Sequence, residues 1–129
     1  MKRIIVCAFI AALAVGCAAS FKEKRALSKP MVSIAMKKIQ RNDLQGAIVE
    51  LRRALDANPS DPEVYYAFAM AYLNSQKLDK ALENADKAVR YADKLELDHP
   101  GMKSEAYNLK GTVLVSMGKK KEAISAFQN

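Results

Sequence analysis

Few residues in this sequence could do chemistry. The 129-residue chain carries two cysteines, Cys7 and Cys17, one histidine, His99, and 14 acids. Cys17 follows Gly16 at the end of an uncharged run, where a thiol is placed for modification rather than for a ligand set. His99 sits in a His-Pro-Gly stop, a setting that suits a turn better than a metal or a substrate. The acids Glu83, Asp86, Asp93, Glu96 and Asp98 could supply paired carboxylates for acid–base work. However, Glu83 and Lys87, Asp86 and Arg90, and Lys94 and Asp98 each stand four apart, which is the spacing of ion pairs along a solvated helix face. There is no Gly-rich phosphate loop, no cysteine cluster and no His-x-x-x-His pair. The residues therefore predict no enzyme, no metal site, no cofactor and no small-molecule substrate.

The one reactive side chain with a clear context is Cys17. Lys2 and Arg3 precede twelve uncharged residues, Ile4 to Val15. A bilayer-spanning helix needs roughly 20 residues, so this run reads as a secretory signal peptide. Its end, Ala14-Val15-Gly16-Cys17, resembles a bacterial lipobox, with Ala14 where leucine is usual. Ordinary signal-peptidase cleavage, using Ala14 and Gly16 or Cys17 and Ala19, also fits. The lipobox resemblance implies removal of residues 1–16, acylation of Cys17 (a palmitate-bearing lipoprotein) and a mature chain of 113 residues. Cys7 is then lost, and no thiol remains for redox chemistry. Ala18 stands where aspartate would favour inner-membrane retention in enterobacterial lipoproteins. The resemblance thus implies an outer-membrane anchor facing the periplasm. Residues 17–29 read as a short basic tether.

An anchor needs a body to hold, and a 34-residue period supplies it. Ala35 recurs as Ala69, Ala47 as Ala81, Leu51 as Ala85 and Ala54 as Ala88. Asp61-Pro62-Glu63 offers an N-cap, a proline at the first helical position and an acid near the positive end of the dipole. The predicted helices are 30–41, 44–57, 62–74, 78–97, 102–117 and 120–129. No window shows sustained period-two alternation, so no strand is expected. A 34-residue unit of two helices resembles the tetratricopeptide repeat. The match is clearest at Tyr65, Phe68, Ala69, Tyr72, Ala81, Ala85 and Ala88, and again at Tyr107, Gly111, Leu114, Gly118, Ala123 and Phe127. Lys110 occupies a slot that is usually apolar.

The resemblance implies an all-α superhelix of antiparallel helix pairs, with repeats at 28–61, 62–103 and 104–129 in a domain spanning 30–129. The third repeat starts eight residues late. Apolar residues continue the stripe through the excess, which predicts two extra turns on the second helix of repeat two. Residue 129 falls inside the last helix of repeat three, so the native chain is expected to continue.

The family uses its concave face, built from the first helix of each repeat. Slot by slot this implies partner-binding positions at Val32, Met36 and Ile39, then Tyr66, Met70 and Asn74, then Asn108, Thr112 and Ser116. Apolar area with interleaved amides suits a protein segment. The carboxylate clamp of cytosolic chaperone adaptors is not matched, because its slots hold Val32, Met36, Ala67, Glu105 and Leu109. A bound carboxylate would lack cationic donors there. The net charge of +7 falls to +5 on the mature chain and reads as dispersed over helix faces and turns. Nucleic acid is not an expected partner, since the tyrosines sit in core or groove slots rather than on a basic face.

Gly16-Cys17, the stretch GAIVELRRALDANPSDPEVYYAFAMAY, and SEAYNLKGTVLVSMGKKKEAISAFQN together resemble the tetratricopeptide lipoproteins of type IV pilus biogenesis. Those are pilotin-like proteins that assist secretin assembly in the outer membrane. The resemblance implies an envelope scaffold that holds a segment of a secretin or pilus-assembly protein. The alternatives are a general envelope-assembly adaptor for cell-wall or outer-membrane protein machinery, and a non-catalytic subunit recruiting an envelope enzyme.

Overall fold

A computed structural model describes residues 22–95 and 101–129 of the chain. Cys7, Cys17, Glu96, Asp98 and His99, and with them the signal peptide and the lipid-attachment site, lie outside the described residues. Within them the chain is all helix and turn: α1 over residues 22–40, α2 (Leu44–Ala57), α3 (Pro62–Asn74), α4 (Leu78–Lys94), α5 (Met102–Ser116) and α6 (Lys120–Phe127). Consecutive helices from α2 to α6 pack on one another and α3 also packs on α5, while α1 shares one core with α2 and α3. None is long and apolar enough to cross a membrane.

Three turns built alike set the pairing. Asn42, Gln76 and Gly118 each take positive φ, at 59°, 57° and 77°. In each, the next N–H reaches five residues back: Asp43 to the Lys38 carbonyl, Lys77 to Tyr72 and Lys119 to Leu114, all at 2.9 Å. This is the Schellman arrangement, which satisfies carbonyls left open at a helix end. The turns are 34 and then 42 residues apart, so the eight-residue excess falls between the second and third.

Small residues recur at the same offsets inside the pairs. Ala35, Ala69 and Gly111 are buried on the first helices, and Ala47, Ala81 and Ala123 on the second. Without bulk at these points the helix axes can approach closely, and larger side chains fill the gaps between layers. Val32, Ile39, Leu51, Val64 and Phe68 form the first layer. Met102, Val89 and three tyrosines form the next, while Leu114 with Ala123 and Ala126 closes against α6.

The boundaries of α2 and α3 fall where the sequence placed them. The others differ. α4 runs to Lys94 with Leu95 as its cap, and residues 96 and 97 lie outside the described residues. α5 ends one residue early, at Ser116, and α6 two residues early, at Phe127.

The largest departure is at the start. Residues 22–29, expected as tether, are helical and belong to α1. Pro30, expected at the helix start, lies inside α1 and costs one backbone bond, because proline has no N–H. Packing holds the extra turns. The Ser28 hydroxyl donates to Asp61 Oδ2 at 2.7 Å with both side chains buried, and Arg25 pairs with Glu63 at 3.1 Å.

A second correction concerns charge. Residues 22–41 carry seven Lys/Arg and a single acid, Glu23, whereas residues 42–129 carry 12 Lys/Arg and 13 acids. α1 with the turn residue Arg41 therefore gathers nearly all the positive excess, which is not dispersed. A third concerns Asp86. It pairs not with Arg90 but across the helix interface with Lys110, at 2.8 Å, and Asp93 pairs likewise with Lys103 at 3.2 Å. Lys110 thus occupies its unusual slot as the partner of an acid on α4. Glu83 and Lys87 do form the expected pair, at 2.7 Å.

Candidate functional site

The first helices of the pairs, α1, α3 and α5, line one cleft of about 340 Å³. Its walls are Val32 and Met36 from α1, Tyr66 from α3 and Met102 from α5, with Arg25, Glu63 and Glu105 at the edge. Each helix presents the cleft at helical spacing: Arg25, Val32 and Met36 recur at seven and four, and Met102 and Glu105 at three.

Of the nine sequence-derived positions, the structure brings Val32, Met36 and Tyr66 together in this cleft. Val32 is buried and offers only its outer edge. Ile39 is only 4% exposed and belongs to the core with Ala35 and Leu51, so it is not open to a ligand. Met70 is half-buried against the same core. Asn74, Asn108, Thr112 and Ser116 are exposed but do not line the cleft. Thr112 and Ser116 donate their hydroxyl protons to the Asn108 and Thr112 carbonyls, at 3.0 and 3.1 Å. Their oxygens remain available as acceptors.

Arg25, Glu63, Met102 and Glu105 were absent from the sequence-derived set. Arg25 was hidden because its stretch reads as tether. The available signal was its helical spacing from Val32 and Met36. Met102 and Glu105 stand in the first turn of α5, one helical step above Asn108 and Leu109.

The cleft combines adaptable apolar area with a polar edge. Methionine is flexible and polarizable, and so shapes itself to different side chains. Burial raises the pKa of the Tyr66 phenol, and the nearby Glu105 carboxylate adds to the effect. A phenol already holds its proton at neutral pH, so Tyr66 can donate to a carbonyl. The Arg25–Glu63 pair closes one end by bridging α1 and α3. Such a surface can hold a short protein segment through one apolar anchor and a few hydrogen bonds.

Residues 38–111 match a family model described as "Tetratricopeptide repeat", and residues 104–129 match a second model of the same description. A solved structure of a TPR-like protein from Chlorobium tepidum TLS is similar in fold, with a TM-score of 0.65 at 20% identity over 84% of this chain and 79% of that one. No curated protein matches the chain.

Proposed function

Because the chain belongs to the tetratricopeptide repeat family, whose fold typically serves as a non-catalytic protein-interaction scaffold, we propose that it holds a segment of a partner protein in the α1–α3–α5 cleft at the cell envelope. The observation that carries this reading is the convergence of Met36, Tyr66 and Met102, from three separate helices, on one open cleft. In the proposed mechanism Cys17 is acylated and confines the scaffold to the outer membrane, facing the periplasm. Confinement raises its effective concentration near a membrane partner. The Gly16-Cys17 sequence after a basic start and an apolar run supports the anchor. The resemblance to pilotin-like pilus lipoproteins supports a secretin or pilus-assembly segment as the occupant.

A photo-crosslinking amino acid at position 66 or 36 in the membrane-bound protein tests the occupant. A secretin crosslink supports the pilus reading. Recovery only of wall synthases, hydrolases or outer-membrane assembly proteins would replace it with the general envelope adaptor. Cys17→Ala tests the anchor separately: acyl labelling should vanish and the protein should leave the membrane fraction.

A further inference from the structure

The outward face of α1 carries a second pattern. Lys24, Leu27, Met31, Ile34 and Lys38, with Arg41 in the turn that follows, recur at alternating steps of three and four, which places them in one stripe along α1 and its end. Leu27 is 56% and Ile34 45% exposed, so these two apolar residues of the stripe are open to solvent, while Met31 between them is half-buried against the core. The ends of the stripe are cationic. Two of the seven cations of residues 22–41 are engaged elsewhere, Arg25 by Glu63 and Lys38 by Asp43. Lys22, Lys24, Lys29, Lys37 and Arg41 are all exposed and meet no acid within ion-pair distance among the described residues.

We propose that this face of α1 lies on an anionic lipid surface, with Leu27 and Ile34 reaching into the headgroup boundary and Lys24, Lys37 and Arg41 set against lipid phosphates. Charge selects the occupant. A second copy would bring cationic ends against cationic ends in either orientation. A zwitterionic surface would leave the positive excess unused. An amphipathic helix with lysine and arginine beside exposed Leu and Ile is the type that binds an anionic interface. Position agrees, since Lys24 to Arg41 follow closely in sequence on Cys17, the attachment residue of the proposed function on which this point rests. One acyl site plus a polybasic face provides the two signals that stable membrane attachment takes. Orientation follows as well. Arg25, Val32 and Met36 sit roughly half a turn round α1 from Leu27 and Ile34, so a helix lying on its outer face keeps the cleft turned away from the lipid.

The test places a polarity-sensitive fluorescent amino acid at position 34 of the full chain, with a matched probe at position 36. Vesicles of phosphatidylcholine are compared with vesicles that also contain phosphatidylglycerol. The emission at position 34 should shift to the blue only with phosphatidylglycerol, and the shift should fade as salt is raised. Position 36 should stay unchanged. Lys24→Glu with Arg41→Glu should weaken the apparent lipid affinity by more than about tenfold, with the helical circular-dichroism signal retained. Leu27→Glu should abolish the shift. Equal shifts in both lipids, a larger shift at position 36, or a shift driven by an acidic protein or DNA and not by phosphatidylglycerol would each overturn the proposal. Acylation of Cys17 is read separately by acyl labelling, so a failed anchor and a failed lipid face are distinguishable.

Discussion

Ser28 and Asp61, 33 residues apart, share a 2.7 Å hydrogen bond in the buried seam between α1 and α3. The same carboxylate accepts from the Glu63 N–H at 3.0 Å and so caps α3. One acid thereby fixes both the start of α3 and the docking of residues 22–29 of α1. Ser28→Ala leaves the buried carboxylate short of a donor, which should destabilise the chain by about 1–3 kcal/mol. Urea unfolding measures the loss. Proteolysis within residues 22–29 should rise in parallel, and unchanged proteolysis would mean the seam does not hold α1.

Gln76 occupies a left-handed turn at φ 57° that Gly118 fills without strain in the third pair. The left-handed region is unfavourable for a residue with a Cβ, while glycine gives up more entropy on folding. Gln76→Gly is therefore expected to stabilise by about 0.5–1 kcal/mol, the net of these effects. A rise in melting temperature checks it, and a fall would show that the Gln76 side chain makes a compensating contact.

Gly111 lies against the ring of Phe127. A Cβ at Gly111 would meet the far end of that ring at 2.5 Å, and Phe127 is 49% exposed, so Gly111→Ala must swing the ring off α5 and loosen α6 despite the better helix propensity of alanine. Amide exchange across residues 120–127 should accelerate. In the Phe127→Ala background the obstruction is gone, and the same glycine substitution should become stabilising. That reversal of sign separates a steric clash from a general loss of helix stability.

Asp43 caps α2 by accepting from the Gly46 N–H at 2.9 Å and pairs with Lys38 at 3.1 Å. The backbone hydrogen bond, then Lys38, holds its carboxyl below the ordinary value of 3.8. A depressed folded-state pKa means its stabilisation is present above the unfolded value and is lost as pH falls through the folded one. Asparagine also caps helices but does not titrate. The stability gap between the parent and Asp43→Asn should thus be open at neutral pH and narrow below about pH 4. Urea midpoints at pH 6, 4 and 3 measure it; a gap constant with pH would assign the effect to the cap geometry alone.

The Asp86–Lys110 pair bridges α4 and α5 with both side chains partly exposed. A double-mutant cycle should give a coupling of only about 0.2–1 kcal/mol, diminished by salt. Its role is to make Lys110 compatible with an otherwise apolar interface.

The repeat architecture was legible because it is written locally. Alanines at fixed offsets and the Asp61-Pro62 cap act within a helix or between neighbours, and α2 and α3 begin and end where these signals place them. Val32, Met36 and Tyr66 were named as groove residues by the slots that the tetratricopeptide resemblance implies, and they line the cleft. Ile39 was misplaced on the open face, because a slot rule cannot tell which side of a residue a neighbouring helix covers.

What the sequence could not show depends on contacts between distant segments. Residues 22–29 read as a basic tether because no local signal outweighs Pro30 as a helix start. Their partners, Asp61 and Glu63, lie more than 30 residues downstream. Only the folded chain decides that α1 is long, that it gathers the positive charge onto one helix, and that Lys110 answers Asp86. Sequence alone determined the repeats and the helix faces, since hydrophobic period and capping are short-range. Tertiary structure decided which charges meet and which surfaces stay open, since those depend on separations the chain closes only by folding.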